Sequence, residues 1–453
     1  MYEFERVTAL DFVLTPLVAG LIYFIAKRYR DRHYPIGHAY HPYFLPALGF
    51  KLAGAIAICL IYVYYYDGGD TVNYFYHAQV INSSLVESPA KWFNLVFAIP
   101  SRFDPEYFEY TQLMEWYGRG SPYTVAQFAA VFSLFTLNTF IPASLLFAGL
   151  AFTGIWALFV TFAKQFPHLR EPIATATLFI PSVAMWGSGI FKDTLCMFSL
   201  GWLTYGTFQF FVNENRSARN TILIVASFLL LAALKVYIVI CFVPALIGWV
   251  IFKRTSQIQG KSLVLIVNLS AAIFILGIFG VLFSQFSDFL GKYSLENIQK
   301  TSESTRRWLT YMSNVDNGSA YDLGDFDPSI GGMLSKFPLA VNVTLFRPYI
   351  WESRKVIIFF NALESLIILL LTIRVIFVVG IRKVLQSIST NYTIQFCFIF
   401  AIMFAFAVGI SSYNFGALSR YKIPCIPFYI LTLVLIFYRQ APPGQRLMRR
   451  LRL

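Results

Sequence analysis

Long apolar segments recur along this chain and restrict its fold more than any other feature. A helix of about 20 apolar residues is long enough to cross a bilayer. With 57% hydrophobic and only 13% charged residues, we expect about eleven such segments. They lie at 8–26, 45–66, 142–163, 172–189, 194–212, 220–234, 237–252, 262–286, 356–379, 392–411 and 423–438. The short ones near 220–252 are separate spans, one kinked pair around Lys235, or half-helices. The sequence predicts an all-α polytopic membrane protein, with residues 1–453 forming a single integral membrane domain.

The loops between these segments divide into a basic set and an acidic set. The basic set comprises 27–44, 164–171, 213–219, 253–261, 380–391 and the tail 439–453. The acidic set includes two long loops, 67–141 and 287–355, and holds most of the 23 acidic residues. Basic loops stay in the cytoplasm. We therefore predict a cytoplasmic C-terminus, with the N-terminus and both long loops outside.

The same distribution explains the net charge of +13 without a nucleic-acid partner. The tail 439–453 is expected to contact anionic membrane lipid. The five cysteines lie in or beside apolar segments with no motif spacing, so we expect neither a disulfide nor a zinc site. The N-terminus is acidic and lacks a basic region before the first apolar segment, so we expect no cleavable signal peptide.

The first long loop begins with an acidic motif, Asp67-Gly68-Gly69-Asp70, directly after the apolar segment 45–66. Two carboxylates therefore emerge where a membrane helix ends, and the glycines allow a tight turn between them. A catalytic or metal-binding role for Asp70 and Asp67 is one interpretation, and a solvated turn with helix-capping acids is the other. The remaining acids and aromatics of 67–141 predict interfacial helices, with 123–138 interfacial or re-entrant.

Further charged residues lie at segment ends on the same predicted side of the membrane. Charge near a bilayer is costly, so such residues usually bind substrate, ions or each other. The candidates for binding substrate or a lipid phosphate are Lys192, Asp193, Lys235, Arg347, Glu352 and Arg420, with Tyr421 beside the last. Lysine and arginine suit a phosphate leaving group, while a carboxylate can accept the proton of an acceptor hydroxyl.

Each of these candidates also has a structural interpretation. Lys192 and Asp193 can pair or cap a helix, and Lys235 can extend its ammonium group to the membrane surface. Arg347 and Arg420 can hold loops to acids or headgroups. Glu364, inside an apolar segment, is expected to be a structural acid. His77 is the one histidine near the acidic motif, and we treat it as a pocket residue.

No cofactor is required by the sequence, although the acidic pair leaves a divalent metal open. A second acidic run, Asp322, Asp325 and Asp327, lacks the spacing and closing glutamate of an EF-hand loop. A solvated loop is therefore the expected structure there. The chain also lacks a glycine-rich phosphate loop, a Ser-His-Asp set and a metal-spaced Cys/His cluster.

Two short motifs resemble those of the GT-C superfamily of membrane glycosyltransferases. Residues 70–78, from Asp70 to Ala78, look like the acidic motif in the first extracytoplasmic loop of that family. Residues 420–427, from Arg420 to Pro427, are similar to the start of a late helix there. The bacterial protein O-mannosyltransferases and aminoarabinose transferases look most similar. Unlike the family pattern, the two acids here are separated by two glycines.

The resemblance implies a GT-C-like fold in a bacterial inner membrane, with Asp70 as catalytic base or metal-site acid. Arg420 and other basic residues would hold the lipid phosphate. The implied activity is transfer of a sugar from a polyprenyl-phosphate-linked donor to a lipid, glycan or protein acceptor at the extracytoplasmic face. The alternatives are a polysaccharide polymerase or ligase using polyprenyl-diphosphate-linked glycans, a transporter or flippase of lipid-linked substrate, and a non-catalytic assembly protein.

Overall fold

The computed structural model describes residues 7–255, 321–324 and 330–440. Within these ranges the backbone forms helices and turns, without strands. Among the described residues, seven helices are long and apolar enough to cross a membrane, and a bent pair of helices would make an eighth span. The chain is therefore an all-helical integral membrane protein, as the apolar segments predict.

The helices are numbered here in chain order. The first twelve are α1 (Ala9–His33), α2 (His41–Tyr65), α3 (Asp70–Glu87), α4 (Pro89–Phe93), α5 (Phe108–Thr111), α6 (Ser121–Leu134), α7 (Phe140–Gln165), α8 (Arg170–Leu178), α9 (Pro181–Trp186), α10 (Lys192–Val212), α11 (Ala218–Leu234) and α12 (Val236–Thr255). The later helices are α13 (Ile330–Ser335), α14 (Phe337–Phe346), α15 (Val356–Val379), α16 (Ile381–Thr390), α17 (Tyr392–Ser412), α18 (Phe415–Tyr421) and α19 (Ile426–Gln440).

Seven of the predicted spans are confirmed as long apolar helices, namely α1, α2, α7, α10, α12, α15 and α17. The predicted span 423–438 overlaps the bent pair α18–α19, whose axes differ by 65°. The segment 220–234 forms α11, a shorter apolar helix. The segment 262–286 lies outside the described residues, so the total of about eleven stays a prediction.

The predicted span 172–189 is wrong, because this segment does not form one helix. It divides into α8 and α9, and Pro181 begins the second of these helices. Proline lacks the N–H that would continue a preceding helix, and it disfavours helical backbone at the residue before it. Ile180 accordingly has extended dihedral angles.

The chain divides into two compact units, which are described separately below. Unit one comprises Met1–Thr161, Leu178–Gly206 and Thr221–Lys235. Unit two comprises Phe162–Thr177, Thr207–Asn220 and Val236–Leu453.

In unit one, the segment after α2 forms helices α3 to α6, and their placement along the membrane surface stays a prediction. The segment predicted as interfacial or re-entrant, 123–138, is largely α6, which has 14 residues and packs on α3. Asn82 on α3 joins the two helices: its Nδ2 donates to Ala130 O at 3.0 Å and to Ser133 Oγ at 2.9 Å. Trp92 Nε1 donates to the Asn82 Oδ1 at 2.7 Å. The Asn82 side chain is therefore the polar centre of this helical layer.

Close packing between α7 and α10 depends on two glycines. A Cβ atom added to Gly201 would lie 1.9 Å from the Gly154 carbonyl oxygen, and one added to Gly154 would lie 2.3 Å from the Phe198 oxygen. Small residues allow such close backbone approach between membrane helices.

We expect Gly201→Ala to lower the free energy of unfolding by about 1–3 kcal/mol, because the new methyl group must push two backbones apart. The matched control is Gly149→Ala on α7, where a Cβ atom would meet only Ile22 Cγ2 at 3.9 Å. This control should be neutral or stabilising, since alanine favours helix more than glycine does. Thermal unfolding of both variants in detergent tests the difference, and equal midpoints would contradict it.

In unit two, an aromatic core joins α12, α17 and α19. The ring of Phe400 lies 4.8 Å from that of Phe242 and 4.9 Å from that of Phe428, centroid to centroid. Elsewhere along α12 and α17, Trp249 Nε1 donates to Thr393 Oγ1 at 3.2 Å. The contact of Phe400 with Phe428 holds α19, which follows the bend at residues 422–425, against α17.

Candidate functional site

The acidic motif forms a tight turn between α2 and α3 in unit one. Asp67, Gly68 and Gly69 all have positive φ angles, of 52°, 132° and 120°. The Gly68 N–H donates to the Tyr62 carbonyl oxygen at 2.9 Å, which closes the end of α2. Asp67 is exposed, and Asp70 is half-buried as the first residue of α3. The predicted tight turn is confirmed, and it presents both carboxylates at the end of a membrane-capable helix.

The ring of Tyr62 connects this turn to the start of α10. A Cβ atom on Gly69 would lie 2.9 Å from Tyr62 Cε1, so the turn packs directly on the ring. The same ring lies 5.3 Å from that of Phe191 and 6.4 Å from that of Trp186. Phe191 immediately precedes the half-buried Lys192. The acidic turn and the residues leading to Lys192 therefore share one aromatic neighbour.

Two buried polar atoms beside this cluster have no hydrogen-bond partner among the described residues. They are Thr71 Oγ1, which follows Asp70, and Trp186 Nε1. Buried polar groups in folded proteins are nearly always hydrogen-bonded. These two atoms are therefore candidates for contact with a polar ligand near the turn. We name Asp67, Asp70, Thr71, Trp186 and Lys192 the acidic-turn cluster.

Asp193 and Lys235 form a buried ion pair in unit one. Lys235 Nζ lies 2.5 Å from Asp193 Oδ1, and both side chains are almost fully buried. Lys235 occupies the break between α11 and α12, as predicted, and its N–H donates to the Leu231 carbonyl oxygen at 2.9 Å. The ammonium group does not extend to the surface, because it points to Asp193. This geometry favours a structural role for the pair.

Sequence reasoning missed Lys51 as a positioning residue. Lys51 lies inside α2 and is buried, and its Nζ donates to the Val183 carbonyl oxygen at 3.0 Å. Near it, a Cβ atom on Gly54 would lie 2.3 Å from the Ala184 oxygen. Lys51 and Gly54 thus hold α9 against α2, upstream of Lys192. The available signal was a lone lysine inside an apolar segment.

His77 lies on the same face of α3 as Asp70 and Tyr74, given their spacing. Trp116 covers this face, with its ring 5.0 Å from that of Tyr74 and 5.4 Å from that of His77. Burial lowers the pKa of His77 to about 4, and the nearby charge of Arg102 adds to this effect. His77 is therefore neutral at neutral pH, and it lies beneath Trp116 instead of lining an open pocket.

The low pKa of His77 predicts a loss of stability in acid. The unfolded chain binds the imidazole proton near pH 6.5, whereas the folded chain does not until about pH 4. Stability is therefore full above about pH 6.5, and we expect unfolding free energy to fall by about 2 kcal/mol between about pH 7.5 and pH 5. Thermal unfolding of wild type and His77→Phe at both pH values measures this loss of stability. The loss should be absent in His77→Phe and present in His168→Gln, which changes an exposed histidine. Identical pH profiles for wild type and His77→Phe would contradict the prediction.

In unit two, the predicted residues Arg347 and Glu352 bind each other. Arg347 Nε donates to Glu352 Oε2 at 3.0 Å, and Nη2 donates to Oε1 in a second hydrogen bond. The Tyr349 N–H donates to the same Oε2 at 2.8 Å. The guanidinium carbon lies 5.2 Å from the centre of the Phe415 ring. Carboxylate and aromatic ring together compensate the Arg347 charge.

The predicted residues Arg420 and Tyr421 end α18, and the bend before α19 follows them. Both are half-buried, and the Arg420 guanidinium carbon lies 5.3 Å from the centre of the Tyr421 ring. The next residue, Lys422, is 1% exposed. Its Nζ donates to Ser365 Oγ at 2.8 Å and to the Arg347 carbonyl oxygen at 3.3 Å. Lys422 thus ties the bend to α15.

The nine predicted site residues are divided between the two units. Unit one holds Asp67, Asp70, Lys192, Asp193 and Lys235, and unit two holds Arg347, Glu352, Arg420 and Tyr421. Within the units, two pairs of opposite charge form, Asp193 with Lys235 and Arg347 with Glu352.

Within the part of the chain that the structure describes, no three His, Cys, Asp or Glu side chains are grouped to hold a metal ion. All five cysteines are buried and unpaired. Asp322 accepts a hydrogen bond from the Gly324 N–H at 3.0 Å, which makes a local turn. Asp325 and Asp327 lie outside the described residues. A divalent metal at the acidic turn therefore stays a prediction.

Comparisons of the chain with protein-family profiles, with curated proteins and with solved structures found no match. The class that the fold defines is an all-helical integral membrane protein, with seven or eight membrane-capable helices in the part of the chain that the structure describes.

Proposed function

We propose that this chain is a membrane glycosyltransferase that moves a sugar from a polyprenyl-phosphate-linked donor to a hydroxyl of a lipid, glycan or protein acceptor. The observation that carries the proposal is the acidic turn. It brings two carboxylates to the end of a membrane-capable helix, against the Tyr62 ring and two unpartnered buried polar atoms. A lipid-linked substrate would offer its sugar at this depth.

The proposed reaction is an inverting displacement at the anomeric carbon. The acceptor oxygen forms the new glycosidic bond, and the bond between the sugar and the phosphate oxygen breaks. Asp70 accepts the acceptor's hydroxyl proton, and polyprenyl phosphate leaves with the bonding electrons. Lys192, in the same unit as Asp70, would offset the charge that develops on the leaving phosphate.

Two of the other predicted carboxylates are poorly suited to be the base, because each forms an ion pair with a basic side chain. Asp193 is buried against Lys235, and Glu352 accepts two hydrogen bonds from Arg347. A carboxylate held by a cation is a weak proton acceptor, since the cation stabilises its ionised form. Asp70 is half-buried at the turn, where Asp67 is its closest carboxylate in sequence. We also propose that the transfer takes place at the extracytoplasmic side of a bacterial inner membrane.

A transporter of an anionic lipid-linked substrate is the second candidate function. It is favoured by the bend between α18 and α19, where the buried Lys422 bonds to Ser365. Transporters often bind substrates at such interrupted helices. A polymerase or ligase centred on Arg347 is less favoured, because Glu352 compensates that charge.

The proposal is tested by mass spectrometry of lipid-linked and surface glycans from cells that lack the gene. The same cells are complemented with wild type or with Asp70→Asn. We expect a sugar to be missing from the acceptor glycans of the deletion strain, and to return with wild type but not with well-expressed Asp70→Asn. Unchanged glycans in every strain would overturn the proposal, as would full restoration by Asp70→Asn.

A further inference from the structure

The ten-residue helix α16 joins the ends of two membrane-capable helices in unit two. Gly380, with a φ angle of 82°, separates it from α15. Asn391 separates it from α17, and its Oδ1 accepts hydrogen bonds from the Thr393 N–H at 3.1 Å and the Ile394 N–H at 3.0 Å. A helix of this length is too short to cross a bilayer. Because α15 and α17 are both long and apolar enough to cross a membrane, α16 would lie at the level where the bilayer ends.

The side of α16 that faces the protein is held by specific contacts. Val384 and Ser387 are buried, and they are one turn apart. Gln440 Nε2, at the end of α19, donates to Ser387 Oγ at 3.1 Å. The orientation of the remaining faces of α16 is therefore fixed by packing against α17 and α19.

A second face of α16 is apolar and exposed, and a third is polar. Ile381 and Leu385, one turn apart, are 57% and 59% exposed. At helical angles of about 100° per residue, Gln386 and Ser389 project from the side next to this apolar stripe. Such a pattern is typical of a helix that lies in the plane of a membrane interface.

Exposed cations lie on this helix and on its two neighbours. Arg382 and Lys383 are exposed on α16, Arg374 is exposed in the C-terminal half of α15, and Arg439 is exposed at the end of α19. Among the described residues, none of these four side chains forms an ion pair. Arg374 instead lies over the Phe437 ring, 5.2 Å from its centre. Exposed cations at a membrane surface attract the headgroups of anionic lipids.

We propose that α16 is an in-plane anchor that binds anionic phospholipid. Ile381 and Leu385 enter the boundary between headgroups and acyl chains, while Arg382 and Lys383 bind the phosphates of the same leaflet. A lipid leaflet is the favoured occupant, because the exposed apolar stripe adjoins the ends of two membrane-capable helices and is flanked by exposed cations that form no ion pair with any described residue. This inference does not depend on sugar transfer.

The experiment uses the full chain in nanodiscs of phosphatidylcholine, with or without added phosphatidylglycerol. An environment-sensitive dye is attached to Leu385→Cys, or to Ser389→Cys on the polar face; the native cysteines are all buried. We expect the dye at 385 to be quenched by spin-labelled lipid and the dye at 389 by aqueous iodide. In Arg382→Gln/Lys383→Gln, we expect the phosphatidylglycerol dose that gives half-maximal lipid quenching at 385 to rise about tenfold.

The matched control is Arg354→Gln/Lys355→Gln, which removes two adjacent exposed cations before the other end of α15. This control should leave lipid quenching at 385 unchanged, because the dye reports only on the surroundings of α16 and the two substituted residues precede the start of α15. Iodide quenching of both dyes alike would overturn the proposal, since the apolar face would then lie in water. Lipid quenching at 385 that changes neither with the phosphatidylglycerol content nor with Arg382→Gln/Lys383→Gln would overturn the proposal that α16 binds anionic lipid.

Discussion

Replacing either Asp193 with asparagine or Lys235 with methionine is expected to lower the free energy of unfolding by about 3–5 kcal/mol. Each single change removes the observed ion pair and leaves the other charged side chain buried away from water. The Nζ–Oδ1 distance is 2.5 Å, so the interaction that is lost is direct. Thermal unfolding in detergent and the yield of folded protein are the measurements.

The double variant Asp193→Leu/Lys235→Met distinguishes the effect of losing the ion pair from the cost of leaving one buried charge behind. Replacing both partners with apolar groups of similar size is often neutral or stabilising, so we expect the double variant to be more stable than either single one. Lys91→Met is the matched control, because its partner Glu87 is exposed and water screens this pair. Single variants that unfold like this control would contradict the structural role of the buried pair.

Asp70→Asn is expected to slow sugar transfer by about 10²–10⁴-fold, because asparagine cannot accept the acceptor's proton. The folded state should change little, since asparagine keeps nearly the same shape at a half-buried helix start. Rates of transfer in membranes that contain equal amounts of each variant are the measurement, with the unfolding midpoint as a check on folding.

Two further variants show how the acidic turn acts. Asp104→Asn changes another carboxylate of the same loop, which accepts a hydrogen bond from the Glu106 N–H at 3.0 Å, and it should retain transfer activity. Asp67→Asn distinguishes a single base from a metal site. If Asp70 acts alone as base, Asp67→Asn should keep most of the transfer activity. If both carboxylates bind a metal ion, Asp67→Asn and Asp70→Asn should lower the activity by similar factors. Full activity of Asp70→Asn would remove the base from the mechanism.

Local sequence was sufficient to predict the long helices, because a run of apolar residues of bilayer length has few other structures available. The same reasoning failed at 172–189, because it considered only the apolar content and not Pro181, where the segment divides into two helices. It also did not predict that α18 and α19 would bend by 65°, since residues 423–438 alone read as one straight span.

The acidic turn was predictable because the glycines and acids that form it are adjacent in sequence. The ion pair of Asp193 with Lys235 was not, because its partners are 42 residues apart. The burial of His77 beneath Trp116 likewise depends on tertiary packing that no local pattern contains.

As proposed above, this chain changes its lipid-linked substrate chemically. The most direct measurement incubates purified, reconstituted protein with the lipid-linked sugars and acceptor glycans extracted from cells that lack the gene, and follows the donor by mass spectrometry. The account predicts that wild type converts the donor to polyprenyl phosphate and adds the sugar's mass to an acceptor, and that Asp70→Asn does neither. A donor that crosses the bilayer with its sugar still attached, at equal rates in both proteins, would contradict the account and indicate transport.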